Sequence, residues 1–161
     1  MAKIKTPKAT ILISTLILVT IPAQYSYAAN SVQYRAWGFE CGVTIMDPHI
    51  SISLKEKGKG RNIKIDACSK CKLLQKNVVL SVELYKRGFL NPIFVAKTST
   101  DALDQTSSGN LINNFKTYKI CRDNSLTRFW GRARGSAFIN GKQYFTPWVQ
   151  SEVTKPIACG T

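Results

Sequence analysis

The chain has 161 residues, 44% of them hydrophobic, and its 23 lysines and arginines against nine acids give a formal net charge of +14. Nine dispersed carboxylates leave no cluster of the kind that holds calcium, and no glycine-rich loop leads into a helix to cradle a phosphate. A charge of this size is silent about fold, but it predicts attraction to anionic polymers, anionic membrane surfaces or acidic proteins.

Lys3, Lys5 and Lys8 open the chain, and no acid occurs before Glu40. An apolar run from Ala9 to Ala23 follows, interrupted only by Thr10, Ser14, Thr15, Thr20 and Pro22, and then Ser26-Tyr27-Ala28 places small residues where a signal peptidase reads. This is the order of a secretory signal. The competing reading, a membrane anchor, needs about 20 apolar residues, and this run is shorter and holds Pro22. The expectation is a signal peptide over residues 1–28, cleaved after Ala28, and one domain over residues 29–161 that is secreted and extracellular, with no transmembrane span left after cleavage. The leader takes three lysines and no acid, so +11 of the +14 stays with the domain. A domain of this size buries about two-thirds of its surface with no metal or cofactor, and none is expected.

Ser31–Glu40, rich in aromatics, reads as a first strand. After Asp47-Pro48-His49, the residues Ile50, Ile52 and Leu54 alternate with polar neighbours, turn at Glu56–Gly60, and resume as Ile63, Ile65 and Ala67. This predicts a hairpin with a solvated basic tip of Lys55, Lys57, Lys59, Arg61 and Lys64. Val78, Leu80, Val82 and Leu84 mark a central core strand. Lys86-Arg87-Gly88 turns the chain into a returning strand at Ile93–Thr98. Thr100–Asn114 reads mainly as a long connection, Phe115–Cys121 as another strand, and Lys155–Cys159 as a short last one.

Five cysteines, Cys41, Cys68, Cys71, Cys121 and Cys159, all lie beyond the leader, and export makes them disulfide candidates. Five is odd, so one thiol is left over or pairs between chains. Cys159 is expected to staple the C-terminal segment to the body. Cys68-Ser69-Lys70-Cys71 is a C-x-x-C motif. A redox pair would need a helix start in a thioredoxin-like setting. Zinc would need Cys41, Cys68, Cys71 and either Cys121 or Cys159 as ligands. Disulfide staples fit the compartment better than either.

The strongest local signal is Ser125–Ser151. Asn140-Gly141 between two strand-forming runs predicts a two-residue hairpin turn that pairs Ile139 with Lys142, Phe138 with Gln143 and Ala137 with Tyr144. Alternation then puts Gly131, Ala133, Gly135 and Ala137 on a core face with Tyr144, Thr146 and Trp148. The other face carries Arg128, Trp130, Arg132, Arg134, Ser136 and Phe138 beside Gln143, Phe145 and Pro147. The facing strand has no acid before Glu152.

Seven to nine short strands without a sustained helical pattern predict an all-β fold. The expected form is a small, disulfide-stabilised antiparallel β-sandwich of immunoglobulin-like architecture. The Cys…Trp…Cys order of antibody domains is not met by Cys41, Cys121 and Trp130. For function, the expectation is a secreted, non-enzymatic cationic module. Arg128, Trp130, Arg132 and Arg134 would bind an anionic partner: a cell-wall polymer, a polysaccharide, lipid head groups or an acidic protein. The competing account of this face is a cross-strand ladder that only covers the sheet. A secreted cationic toxin or antimicrobial factor is the second reading. A small hydrolase using the single histidine, His49, with Glu40 is the third.

Overall fold

The computed structural model describes residues 30–32, 41–71, 74–105 and 112–161. The expected signal peptide and nearly all of the expected strand 31–40 lie outside these residues. The described chain is an antiparallel all-β fold with one short helix. Its elements are β1 (Asn30–Val32), β2 (Cys41–Ile45), β3 (His49–Ile50), α1 (Ile52–Glu56), β4 (Asn62–Cys71), β5 (Gln75–Lys86), β6 (Ile93–Ser99), β7 (Leu103–Gln105), β8 (Ile112–Ile120), β9 (Asp123–Thr127), β10 (Phe129–Ile139), β11 (Lys142–Phe145), β12 (Val149–Gln150) and β13 (Ile157–Gly160).

One sheet is built on β4. Strands β2 and β3 pair along one side of it, β8 along the other, and β1 pairs with β2. The second sheet is built on β5 and β10, with β6 and β7 on the outer side of β5 and β11 and β12 on the outer side of β10. A separate pair, β9 with β13, closes one end. The sandwich architecture expected from the strand count is the one observed.

The core lies between the two main sheets and follows the period-2 alternation of each strand. Val43 and Ile45 come from β2, and Ile63, Ile65 and Ala67 from β4. They meet Val78, Leu80, Val82 and Leu84 of β5 and Phe129, Ala133 and Ala137 of β10. The small residues of β10 let the opposite sheet come close. A Cβ on Gly131 would fall inside the envelope of Ile65 Cδ1 and 2.7 Å from the Glu83 carbonyl oxygen, and one on Gly135 would meet Val43 Cγ2 at 3.4 Å. The large partners of these small residues therefore include side chains of the facing sheet as well as those of the hairpin's own second strand.

A polar seam joins the sheets at one corner. Buried Asn114 of β8 donates from Nδ2 to the Leu80 carbonyl at 3.0 Å and the Thr98 carbonyl at 3.3 Å, and its Oδ1 accepts from Thr98 Oγ1 at 3.0 Å. Thr98 and Thr117 hydroxyls are also hydrogen-bonded to each other. Filling the donors and acceptor of a buried amide in this way makes its burial tolerable.

The expected strand 50–54 is corrected. Strand β3 ends at Ile50, and Ile52–Glu56 is one helical turn capped by Ser51, whose Oγ accepts the Leu54 amide at 3.3 Å. Ile52 is 52% exposed and not a core residue. A serine cap overrode a three-residue alternation. Strand β2 and the early start of β8 at Ile112 were not anticipated.

Cys121 and Cys159 form a disulfide with Cα atoms 4.8 Å apart, so the last strand is stapled as expected. Cys71 is also in a disulfide, and the residue opposite it in the β2–β4 ladder is Cys41. Cys68 is the free thiol among the described residues. The C-x-x-C motif runs along β4, where residues three apart point to opposite faces, so Cys68 and Cys71 do not form a local pair. With Cys71, Cys121 and Cys159 all in disulfides, no four-cysteine zinc set forms.

Candidate functional site

Strand β10 exists because Phe129–Ile139 alternates inward and outward without interruption. Asn140 and Gly141 turn it with φ of 50° and 75°, and the hairpin register is Ile139 with Lys142, Phe138 with Gln143 and Ala137 with Tyr144, as expected. Pairing continues to Gly135 and Thr146, whose amide donates to the Gly135 carbonyl at 2.9 Å.

There the expected register ends. Ala133 pairs with Val149, not with Trp148. Pro147 and Trp148 stand opposite the single residue Arg134, which makes a β-bulge. Pro147 has no N–H to give to the ladder. The extra residue moves Val149 into the core at 2% exposure and turns Trp148 to the outer face, against the expectation that Trp148 is a core residue.

On that face Trp148 lies between two guanidiniums, with Arg132 Cζ 4.4 Å and Arg134 Cζ 4.8 Å from its ring centre. Arg134 also lies 5.5 Å from the Phe145 ring, and Arg132 5.4 Å from that of Tyr85. Tyr85 in turn stacks on Trp130 at 4.5 Å with planes 9° apart, and Phe94 meets Tyr85 edge-on at 5.8 Å. Phe145, Arg134, Trp148, Arg132, Tyr85 and Trp130 thus form a continuous row across the outer face.

The arginines carry different burdens. No acid faces Arg132 from the hairpin, but β5 supplies one from the other side. Arg132 Nε meets Glu83 Oε2 at 2.7 Å, Lys97 Nζ meets Glu83 Oε1 at 3.1 Å, and the Tyr85 hydroxyl donates to Glu83 Oε2 at 2.7 Å. The Glu83 side chain is only 7% exposed. Burial raises the pKa of its carboxyl, but the hydrogen bonds from Tyr85, Arg132 and Lys97 outweigh that and hold it at about 2. Arg132 is therefore a neutralised part of the sheet, and the ladder account holds for it.

Arg128 is different. It stands one residue beyond the β10–β5 pairing, and its carbonyl accepts the Arg87 amide at 2.9 Å, so Arg87 and Arg128 are direct cross-strand neighbours. Both are exposed, and among the described residues no carboxylate pairs with either, nor with Arg134. Beside them is a half-open surface cavity of about 370 Å³, lined by Arg87, Arg128, Trp130, Val153 and the 88–92 turn. At the tip of that turn Phe89 is 100% and Leu90 84% exposed.

Of the four expected binding residues, the structure brings Arg128 and Trp130 to this cavity. It ties Arg132 to Glu83 and leaves Arg134 exposed on the aromatic row. In sequence Arg87 reads as part of the Lys86–Gly88 turn, and Phe89 and Leu90 have no role assigned. Their signal was two large apolar residues between Gly88 and Asn91-Pro92, where a turn is ordinarily polar.

His49 lies on the other sheet, with Nδ1 3.0 Å from the Asp47 carbonyl oxygen and Nε2 3.9 Å from Asp66 Oδ2. Glu40, its expected partner in hydrolysis, lies outside the described residues. The basic tip is exposed, with Lys55 in the last turn of α1 and Lys57, Lys59 and Arg61 in the loop after it, and Lys64 is half-buried against Asp66 at 2.9 Å. No group of acids, cysteines and histidine among the described residues is arranged to hold a metal. No helix among them is long and apolar enough to cross a membrane. Comparison with protein-family models, with curated proteins and with solved structures finds no match to this chain.

Proposed function

We propose that this protein is an exported, non-enzymatic cationic β-sandwich module that docks an anionic partner at the Arg87–Arg128 end of the β10–β5–β6 sheet. The observation that carries this reading is the Arg87–Arg128 pair itself. Like charges directly opposite on neighbouring strands destabilise a sheet. Here neither has a counter-ion among the described residues, although Arg132, four pairs further along the ladder, has one. A charge pair left open beside a cavity is suited to a carboxylate, sulfate or phosphate group, which guanidinium forks match in geometry.

The sequence supports the same reading through the charge of +11 that stays with the domain out of the chain's +14, which draws anionic partners from a distance. The test is retention on phosphocellulose across a salt series. The protein elutes earlier as salt rises, and Arg87→Glu with Arg128→Glu elutes earlier still while melting at an unchanged temperature. Retention indifferent to salt, or to this double substitution, overturns the proposal.

A further inference from the structure

We infer that the anionic partner is a lipid bilayer, and that Phe89 and Leu90 insert into it while Arg87 and Arg128 hold lipid phosphates. This inference rests on the docking reading above and gives it a substrate class. It starts from the most exposed apolar residues in the described chain. Phe89 and Leu90 stand outward at the tip of the β5–β6 connection, with Phe94 and Val153 about half exposed behind them. An exposed pair of this size at a loop tip has no role in the core, which is complete without it.

The groups are arranged by depth. Two apolar side chains lead. Two uncompensated guanidiniums follow at the base of the same turn, and the cavity between them is open to a head group. Behind these lie Trp130 and Tyr85, stacked on each other, each with an apolar body and one polar atom. Apolar tip, basic collar and amphipathic aromatic belt match the order of acyl chains, phosphates and interfacial water in an anionic leaflet.

A bilayer is favoured over an acidic protein because Phe89 and Leu90 stand almost fully exposed at the end of a turn. A protein would need a pocket shaped to Phe89 and Leu90, whereas a fluid leaflet takes any shape that hides apolar area. The charge complementarity is local as well as global, since both arginines flank the tip.

The test uses the purified protein with vesicles of phosphatidylcholine mixed with phosphatidylglycerol, vesicles of phosphatidylcholine alone, and phosphocellulose. The wild type sediments with the mixed vesicles and not with phosphatidylcholine alone. Phe89→Ser with Leu90→Ser loses about tenfold or more of the vesicle affinity while keeping its retention on phosphocellulose. Arg87→Glu with Arg128→Glu loses both. A Phe89→Trp variant shifts its emission to the blue on mixed vesicles. Vesicle binding by the serine variant equal to wild type, or no shift in the tryptophan variant, overturns insertion. Retention on phosphocellulose without any vesicle binding overturns the lipid inference and leaves the docking proposal standing, and binding to neither removes both. Retention on polyglutamate beads that depends on Phe89 and Leu90, with no vesicle binding, assigns the surface to an acidic protein instead.

Discussion

Arg132 Nε meets Glu83 Oε2 at 2.7 Å across paired strands, in a site where the Glu83 side chain is almost wholly covered. The pair converts what reads in sequence as a free arginine into a member of the sheet. It also gives the fold a defined acid sensitivity. The Glu83 carboxyl is depressed from an ordinary value of 4.5 to about 2. A depressed carboxylate contributes stability that is present above its unfolded value and is lost as pH falls through its folded one. Melting temperature should therefore drop between pH 4.5 and about 2. Glu83→Gln should melt lower at neutral pH and lose much of that slope, measured by thermal melts across the acid range. An unchanged slope would show that other carboxylates set it.

The bulge at Pro147-Trp148 predicts an order of costs that inverts side-chain size. Val149→Ala empties a core position and should cost about 1.5–3 kcal/mol. Trp148→Ala removes two cation–π contacts on the outer face and should cost about 1–2 kcal/mol. Denaturant titration of both variants decides it. Trp148→Ala costing clearly more would restore the unbulged register.

Two glycines of β10 separate in the same experiment. Gly131→Ala drives a methyl toward Ile65 and the Glu83 carbonyl, and the carbonyl is backbone that cannot swing aside. A loss of about 1–3 kcal/mol is expected from overpacking. Gly135→Ala brings its methyl to 3.4 Å from Val43, and should be close to neutral.

The Cys121–Cys159 bond closes a loop of sequence separation 38. Constraint of the unfolded chain by such a loop contributes about 4 kcal/mol. Replacing both cysteines by serine should lower stability by an amount of that order, and should loosen the β9–β13 pair first. Hydrogen exchange at Leu126 and Ala158, which face each other in that pair, reads the local effect.

What was legible in the sequence follows the range of the interactions. The hairpin register depended on Asn140-Gly141 and on alternation, both local, and it is correct from Ile139–Lys142 to Gly135–Thr146. The β5 core face of Val78, Leu80, Val82 and Leu84 was legible for the same reason. Trp148 was misplaced because a bulge leaves no signature in alternation beyond a proline, and one extra residue exchanges the faces. Glu83 was missed as the partner of Arg132 because the neighbour of a strand in a sheet is set by the fold, 49 residues away in the chain. Helix α1 was missed because Ile50, Ile52 and Leu54 fit a strand template, while the cap at Ser51 carries the stronger local energy.

The uncompensated Arg87–Arg128 pair couples binding to folding. A ligand that neutralises it favours the native state over the unfolded chain by mass action, so the anion acts as a counter-charge that the sheet itself lacks. Melting temperature then becomes a titration of occupancy. At fixed ionic strength it rises with the concentration of a site-filling anion such as inorganic phosphate, and the rise disappears in Arg87→Gln with Arg128→Gln. That variant, no longer divided by like charge, is the more stable protein in the absence of ligand and the less responsive one in its presence.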